Sequence, residues 1–335
     1  MSQARRYFFS CTDDAVDRMT ELFDFVWPAV SAFVFARSKA CRYSTVTGNE
    51  RQLALAAYFN SPQNIREEYR SINGLKRANL DKAFIQTDWP VQEQVFARLV
   101  LVNVFAIYEG WLEDLVDEFY TRPEDQRPWK KKFITASQFH FATSKHNDWT
   151  WAMNELHAKR SAALEACFGI SLRGKRLYSS LKALNLLRCY RYFKELRNSI
   201  MHHNGKAGQT LIAATNDYNS FIAQTNNALG TNTAAPMGTK NAITLGSEID
   251  LSLFGVVGFN DIVLRLMCTL DTEAGLTTFG ENAIVRFLRS RVNHRSISGN
   301  IKSTARRMAN EYGLVGLKEP EIFTQMLASH GISMP

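Results

Sequence analysis

The residues with the clearest chemical potential stand in one segment, LRNSIMHHNG, from Leu196 to Gly205. A histidine ring, with an unperturbed pKa of about 6.5, can take or give a proton near neutral pH. A guanidinium can stabilise the negative charge that develops on a phosphate during its cleavage. Arg197, Asn198 and His202, with His203 as a second histidine, therefore suggest proton transfer at a phosphate ester. Asn198 stands four residues before His202 on one helical face, so its amide can fix the tautomer of that ring.

These residues need an element that holds them, and the pattern before them predicts a helix from Leu181 to His202. At about 100° per residue, one face of this helix collects apolar side chains around Phe193. They are those of Leu186, Cys189, Tyr190, Leu196 and Ile200. Arg197 falls about 40° from Phe193, inside this stripe. A buried charge without a partner is costly, so Arg197 requires a carboxylate partner, a position from which its side chain reaches the solvent at the rim, or a polar cleft at an interface.

Glu109 is the natural partner for that charge. It lies beside the apolar stripe of a second long helix, predicted from Val91 to about Tyr120, one turn from Phe105 and Leu112. Two interpretations follow: a structural salt bridge, or a catalytic site that the carboxylate supports. Ion-pair networks and active sites both place charges in this way, so the sequence leaves both open.

At this point the chain shows a resemblance. Arg197-Asn198-Ser199-Ile200-Met201-His202 resembles the R-N-x-x-x-H form of the motif of the HEPN superfamily, which includes metal-independent ribonucleases of toxin, phage-defence and CRISPR systems. The order of elements is also similar: an acidic residue on a first long helix, the motif at the end of a later one, then Asn-Gly and a closing helix. The likeness covers roughly Val91 to Leu276.

The resemblance implies a HEPN-like helical bundle and an endoribonuclease that needs no metal or other cofactor. The implied products are a 2′,3′-cyclic phosphate and a 5′-hydroxyl, formed by attack of the 2′-hydroxyl. Arg197 and His202 would be catalytic, Asn198 orienting and Glu109 supporting, with His203 a second candidate for the proton transfers. Arg197 and His202 lie about 140° apart on a regular helix, so one copy cannot easily aim both at one phosphate. HEPN nucleases are similar in lining one cleft with two motifs, and since this chain holds one, we expect a homodimer.

The resemblance also implies a toxin or antiviral-defence setting, with a regulatory or antitoxin protein as a further partner. HEPN toxins paired with nucleotidyltransferase antitoxins resemble R-x4-H-x-Y. Asn204 stands in the place of that tyrosine, which argues against regulation by tyrosine modification. Two other functions stay open: a non-catalytic HEPN-like module that binds RNA or a protein, and a DNA-binding regulator.

The positive charge of the chain favours a polyanionic partner. The net charge is +8, and between Glu281 and Asn310 seven Arg or Lys residues stand against one Glu. Such a segment attracts nucleic acid, because neutralising phosphates releases condensed counterions. We expect RNA contacts from six cations: Arg191, Lys194, Lys175, Arg176, Arg289 and Arg306.

Two weaker sequence patterns do not amount to a nucleotide site or a metal site. The stretch from Gly169 to Arg176 nearly spells a phosphate-binding loop, but Arg176 replaces the Ser or Thr that would meet magnesium, and a helix is predicted before it. His140, His146 and His157 match no standard metal-ligand spacing, so we predict no metal site.

The whole chain reads as mainly α, in three regions. Residues 1–90 form an N-terminal helical region, 91–278 the HEPN-like domain and 279–335 a small basic C-terminal helical region. Thr12 is the expected N-cap of the first helix, and Pro28 is expected to kink or end it. The alternation within residues 242–255 allows a short β-hairpin.

Cysteine usage and hydropathy bear on the compartment. The five cysteines include no C-x-x-C pair, which fits free thiols in a reducing compartment. The most apolar run, Leu99 to Tyr108, falls short of the roughly 20 residues that cross a bilayer, and the N-terminal sequence lacks the apolar core of a signal peptide. We therefore expect a cytoplasmic protein without membrane contact.

Overall fold

The computed structural model describes residues 5–46, 50–51, 53–55, 79–119, 130–134, 147–224, 235–292 and 300–332, with residues 119, 147–149 and 291–292 by their backbone. Within these ranges the chain is mainly helical and has no β-strand. The helices are α1 (Ser10–Ala40), α2 (Trp89–Phe119), α3 (Asn147–Ala158), α4 (Ala162–Arg173), α5 (Ala183–His202), α6 (Gln209–Gln224), α7 (Leu253–Gly275), α8 (Thr278–Val292), α9 (Ile301–Tyr312) and α10 (Pro320–Ser329). A π-helical turn, Lys82–Gln86, precedes α2.

The core is built where α7 packs against α2 and α5. The rings of Phe193 and Phe259 stack with centroids 4.4 Å apart, and Phe105 lies 5.1 Å from both Phe259 and Tyr190. One hydrophobic cluster of buried side chains extends from Phe8 to Ile332 and draws on all three predicted regions. Packing is therefore continuous across the predicted boundaries, which themselves stay a prediction.

α1 runs antiparallel to α2. Near its start the Trp111 indole N–H donates to Thr12 Oγ1 at 2.9 Å, and further along the rings of Phe33 and Phe96 lie 5.8 Å apart. The prediction of Thr12 as an N-cap is wrong, because α1 begins at Ser10 and Thr12 is buried against α2. Pro28 lies inside α1 and does not end it. Pro28 is on the exposed side, where water can satisfy the backbone carbonyl that loses its partner.

The β-hairpin allowed within residues 242–255 is also wrong. Among the described residues this segment forms isolated bridges, Lys206 with Glu248 and Thr239 with Leu251, and its last residues belong to α7. The backbone N–H of Ile249 donates to the carbonyl of Gly205 at 2.8 Å. The β-bridges of this segment are with residues of other segments, its internal bonds are those of a turn between Thr244 and Ser247, and its pairing with Gly205 to Ala207 fastens the loop that follows α5.

Three helices are long and apolar enough to cross a membrane by length and composition. Among the described residues, these helices are Ser10–Tyr43, which is α1 with the following turn; Trp89–Glu118, which is most of α2; and Leu253–Gly275, which is α7. In the most apolar 18-residue stretch of each helix, the share that is buried inside the fold is 11%, 44% and 67%, respectively. The expectation of no membrane contact rested on the shorter apolar run Leu99 to Tyr108, and beside these longer helices it stays a prediction.

A buried carboxylate anchors the N-terminal segment to α7. Asp271 accepts the backbone N–H groups of Phe8 and Phe9 at 2.8 and 3.0 Å. Burial raises the pKa of Asp271 to about 6, although these bonds and Lys175 favour the ionised form.

This shift predicts an unusual dependence of stability on pH. The folded pKa of Asp271, about 6, lies above the unfolded value, so the folded state binds more protons between about pH 4 and pH 6. The contribution of Asp271 to the free energy of unfolding is therefore largest below pH 4 and falls by up to about 3 kcal/mol as pH rises to 6. Urea unfolding should show the stability of wild type relative to Asp271→Asn declining over this window and staying level above it. A constant or rising difference would contradict the shift.

Candidate functional site

The candidate site lies at the C-terminal end of α5. The carbonyl of Ser199 accepts N–H groups from both His203 and Gly205 at 3.0 Å, which closes the helix. Asn204 and Gly205 follow with φ of 54° and 73°. This left-handed turn confirms the predicted end at Asn204-Gly205, where glycine avoids the strain of a side chain.

Arg197 lies between α5 and α2. Its Nη2 is 3.2 Å from Glu109 Oε2, its Nη1 donates to Asn198 Oδ1 at 3.2 Å, and its Cζ lies 5.6 Å from the centroid of the Phe105 ring. The ion pair predicted between Arg197 and Glu109 is therefore present. The side chains are 25% and 29% exposed, so the pair lies at a rim that solvent reaches.

The two histidines lie on the exposed end of the helix, away from the ion pair. His202 and His203 are both exposed. Asn198, predicted to orient His202, uses its oxygen to accept from Arg197 instead, and no described bond joins it to His202. Within one chain, the structure thus brings together Arg197, Glu109 and Asn198, and leaves His202 on another side of α5.

Two of the six predicted RNA contacts, Arg191 and Lys194, are not surface cations. Lys194 is buried beside Glu109 and Arg197, and burial is the main cause of its lowered pKa. Arg191 lies 3.8 Å from Asp217 of α6 and is largely buried. Helical spacing left the side of α5 that carries Arg191 to solvent, whereas α6 packs along it. Lys194 is instead buried on the side that faces Glu109 of α2.

The other four predicted RNA contacts differ in their surroundings. Arg176, Arg289 and Arg306 are exposed. Lys175 is half-buried, with its Nζ 5.1 Å from the centroid of the Tyr7 ring. None of these four residues is close in sequence to Arg197 or Glu109, and none belongs to α2 or α5. The three exposed side chains are accessible to an anion.

Two residues near the site escaped the sequence reasoning. Arg98 is exposed on α2, and a Cβ added at Gly205 would lie 3.9 Å from its Nη2, so this cation faces the loop after the motif. Arg98 precedes Glu109 by about three helical turns, so both lie on one side of α2, and this spacing could have identified Arg98 from the sequence. The hydroxyl of Tyr190 is buried without a hydrogen-bond partner, and burial raises its pKa. No sequence signal distinguishes it from a core aromatic.

A second ionic cluster has a structural character. Glu273 is 2% exposed and lies 2.7 Å from Arg160 and 3.3 Å from Arg173, and the Tyr178 hydroxyl also donates to it. Arg173 further pairs with Glu165. The near phosphate-binding sequence is not a loop after a helix, because Gly169 to Arg173 form the last turn and a half of α4. Arg173 joins α4 to α7.

Among the described residues, no group of three or more His, Cys, Asp or Glu side chains is arranged to hold a metal ion. His140 and His146 lie outside the described residues. An open cleft of about 450 Å³ lies between α1 and α2, with Phe33, Val95 and Phe96 in its wall, away from the motif. All five cysteines are free thiols, as expected.

Comparison with known proteins finds no match: no protein-family model, no curated protein and no solved structure resembles the chain closely enough to count.

The two ionic clusters predict different responses to loss of a carboxylate charge. Glu273→Gln removes a carboxylate charge that is 2% exposed from two partly exposed guanidinium groups, which keep Glu165 as a partner. It should lower the free energy of unfolding by about 1.5–3 kcal/mol. Glu109→Gln, at a solvated rim, should lower it by about 1 kcal/mol or less. Urea unfolding of both variants measures this. An equal cost would show that the Arg197–Glu109 pair is chiefly a structural support.

Proposed function

We propose that the protein is a HEPN-type endoribonuclease that cleaves RNA without a metal, through Arg197 and His202. The observation that carries the proposal is a guanidinium held at a solvent-reached rim by Glu109 and Asn198, five residues before an exposed histidine on the same helix. The resemblance of the motif supplies the reaction class.

In the proposed reaction, a neutral histidine takes the proton of the ribose 2′-hydroxyl. The 2′-oxygen attacks the adjacent phosphorus, the bond to the 5′-oxygen breaks, and a protonated histidine gives that oxygen its proton. The products are a 2′,3′-cyclic phosphate and a 5′-hydroxyl, with no co-reactant. His202 is the preferred residue for these transfers, and His203 is its neighbouring alternative.

Arg197 can serve this reaction without giving up its partners. A guanidinium has five N–H groups, and the described bonds use one each for Glu109 and Asn198. The remaining N–H groups can bind the phosphate oxygens as negative charge builds up on them. Glu109 and Asn198 then act as positioning residues, and exposed Arg98 adds positive charge beside the same loop.

The separation of Arg197 from His202 favours a homodimer, and α2 offers a surface for it. Val91, Val95 and Leu99 are exposed at four-residue steps, so they form an apolar stripe. Continued along α2, this stripe passes Ala106 and reaches Glu109. A second copy seated here would bring its own α5 end towards the first, so that Arg197 of one copy and His202 of the other meet at one phosphate.

The setting belongs to the proposal as well. The resemblance favours a toxin or antiviral-defence role inside the cell, with a regulatory or antitoxin protein that restrains cleavage. The exposed cations Arg176, Arg289 and Arg306 would attract RNA over a wider surface.

A specific observation favours a second candidate function. Glu109 already neutralises Arg197 within the chain, as a structural salt bridge would. In that case the protein is a non-catalytic HEPN-like module that binds RNA or a partner protein through its exposed cations.

One assay separates the two candidates. Purified protein is incubated with mixed RNA in excess EDTA, and the ends of the products are analysed. The nuclease predicts fragments with 2′,3′-cyclic phosphate and 5′-hydroxyl ends, and loss of cleavage by at least about 100-fold in Arg197→Ala and His202→Ala. Arg18→Ala, an exposed cation on α1 outside the proposed RNA contacts, is the matched control and should change cleavage little. Intact RNA with salt-sensitive binding would support the module instead.

A further inference from the structure

Exposed apolar side chains are concentrated on one part of the molecule. Among the described residues, sixteen large hydrophobic side chains are exposed, and eight of them belong to α1, the start of α2 and Leu53. Contiguous apolar surface of this kind marks an interaction site. The stripe on α2 was assigned above to a second copy, so the surface that remains to be explained is that of α1.

The second half of α1 is apolar over its whole outer side. From Phe25 to Ala36 the sequence contains no charged residue, and its one hydroxyl belongs to Ser31. Taking buried Val26, which faces the core, as zero, the side chains of Trp27, Phe35 and Phe25 fall at about 100°, 180° and 260° around the helix. Phe25, Trp27, Val34 and Phe35 are 64%, 45%, 44% and 59% exposed.

The fold leaves this helix uncovered, unlike the other long apolar helices. In α7 and α2, 67% and 44% of the most apolar window is buried, whereas in Ser10–Tyr43 the share is 11%. Packing in the core explains the hydropathy of α7 and much of that of α2. It does not explain the hydropathy of α1.

We propose that the outer side of α1, from Phe25 to Ala36, binds the surface of a lipid membrane. At 1.5 Å per residue this segment is about 18 Å long, too short to cross a hydrocarbon core of about 30 Å. A helix with a broad apolar side can instead lie in the interface, with that side dipped below the headgroups. The side facing α2 stays packed in the protein.

The residues that follow the segment fit anionic headgroups, whereas the exposed Glu21 and Asp24 precede it, so the attraction belongs to its C-terminal end. Lys39 and Arg42 follow it, with Arg42 exposed and the Lys39 ammonium 4.9 Å from the centroid of the Phe35 ring. A lysine in this position can extend from an apolar contact to a phosphate. Arg37 is not counted, because it donates to the Thr87 carbonyl and to Gln92. Trp27 has the amphipathic ring that is enriched at membrane interfaces.

Lipid fits this surface better than a protein partner does. Protein interfaces surround their apolar centre with polar groups and make a hydrogen bond for every 100–200 Å² or so. Over three turns of α1 the outer side offers the hydroxyl of Ser31 and the indole N–H of Trp27 for such bonds. A fluid apolar phase requires neither directional partners nor a matching shape.

The proposal revises the expectation of no membrane contact and is independent of the nuclease proposal. Membrane binding on α1 needs neither Arg197 nor a dimer. A protein that binds vesicles and leaves RNA intact would refute the nuclease alone.

Flotation with lipid vesicles tests the proposal. The full chain is mixed with vesicles of phosphatidylcholine, or of phosphatidylcholine with phosphatidylglycerol, and centrifuged through a density gradient. Wild type should float, more so with the anionic lipid. Phe25→Ser, Trp27→Ser and Phe35→Ser combined should lower the bound fraction at least about tenfold, because the variant loses three apolar side chains that the lipid would bury. Lys39→Gln with Arg42→Gln should remove the preference for anionic vesicles.

A matched triple variant controls for general surface polarity. Ile170→Ser, Leu181→Ser and Phe254→Ser replace apolar residues elsewhere that are even more exposed, and this variant should float like wild type. Circular dichroism checks that each variant is folded. Wild type that stays at the bottom with both vesicles would overturn the proposal. So would a mass, measured by light scattering without lipid, that drops in the α1 variant, since α1 would then be covered by a second copy.

Discussion

A positive charge placed in the apolar stripe of α5 constrains the rest of the site. Arg197 has the spacing of a core residue, so its charge must be met where α5 passes α2. Glu109 meets it at 3.2 Å, and the ring of Phe105 lies beneath the guanidinium. Because the pair lies at a rim, the charge is neither sealed in the core nor free in solvent. The same contact therefore joins two helices and presents N–H groups to an anion.

Neighbouring elements decide which other side chains can take part. α6 packs along the side of α5 that carries Arg191, Lys194 is buried on the side that faces Glu109 of α2, and the segment that binds Gly205 fastens the loop after the motif. His202 and His203 remain at the open end of α5. The arrangement separates a fixed guanidinium from an accessible imidazole, which explains why a second copy is central to the proposed chemistry.

Local patterns predicted part of this structure. The apolar repeat of α5, its end at Asn204-Gly205 and the need of Arg197 for Glu109 depend on helical spacing and the cost of an unpaired charge, and these are present in the sequence. The burial of Arg191 depends on a separate helix, α6, and that of Lys194 on its position beside Glu109 of α2, so neither could be predicted from α5 alone. The absent hairpin has a similar cause, because residues 205–207 compete for its backbone groups. The roles of the site residues in catalysis stay predictions.

The central claim is that Arg197 and His202 act together across two copies, and mixed dimers test it most directly. Arg197→Ala and His202→Ala chains with different tags are co-expressed, and the doubly tagged species is assayed on RNA in EDTA. A shared cleft predicts that this species cleaves RNA while each variant alone does not, and that Val95→Glu on both chains abolishes the dimer and the recovered activity. A stable mixed dimer that leaves RNA intact, beside active wild type, would contradict the account.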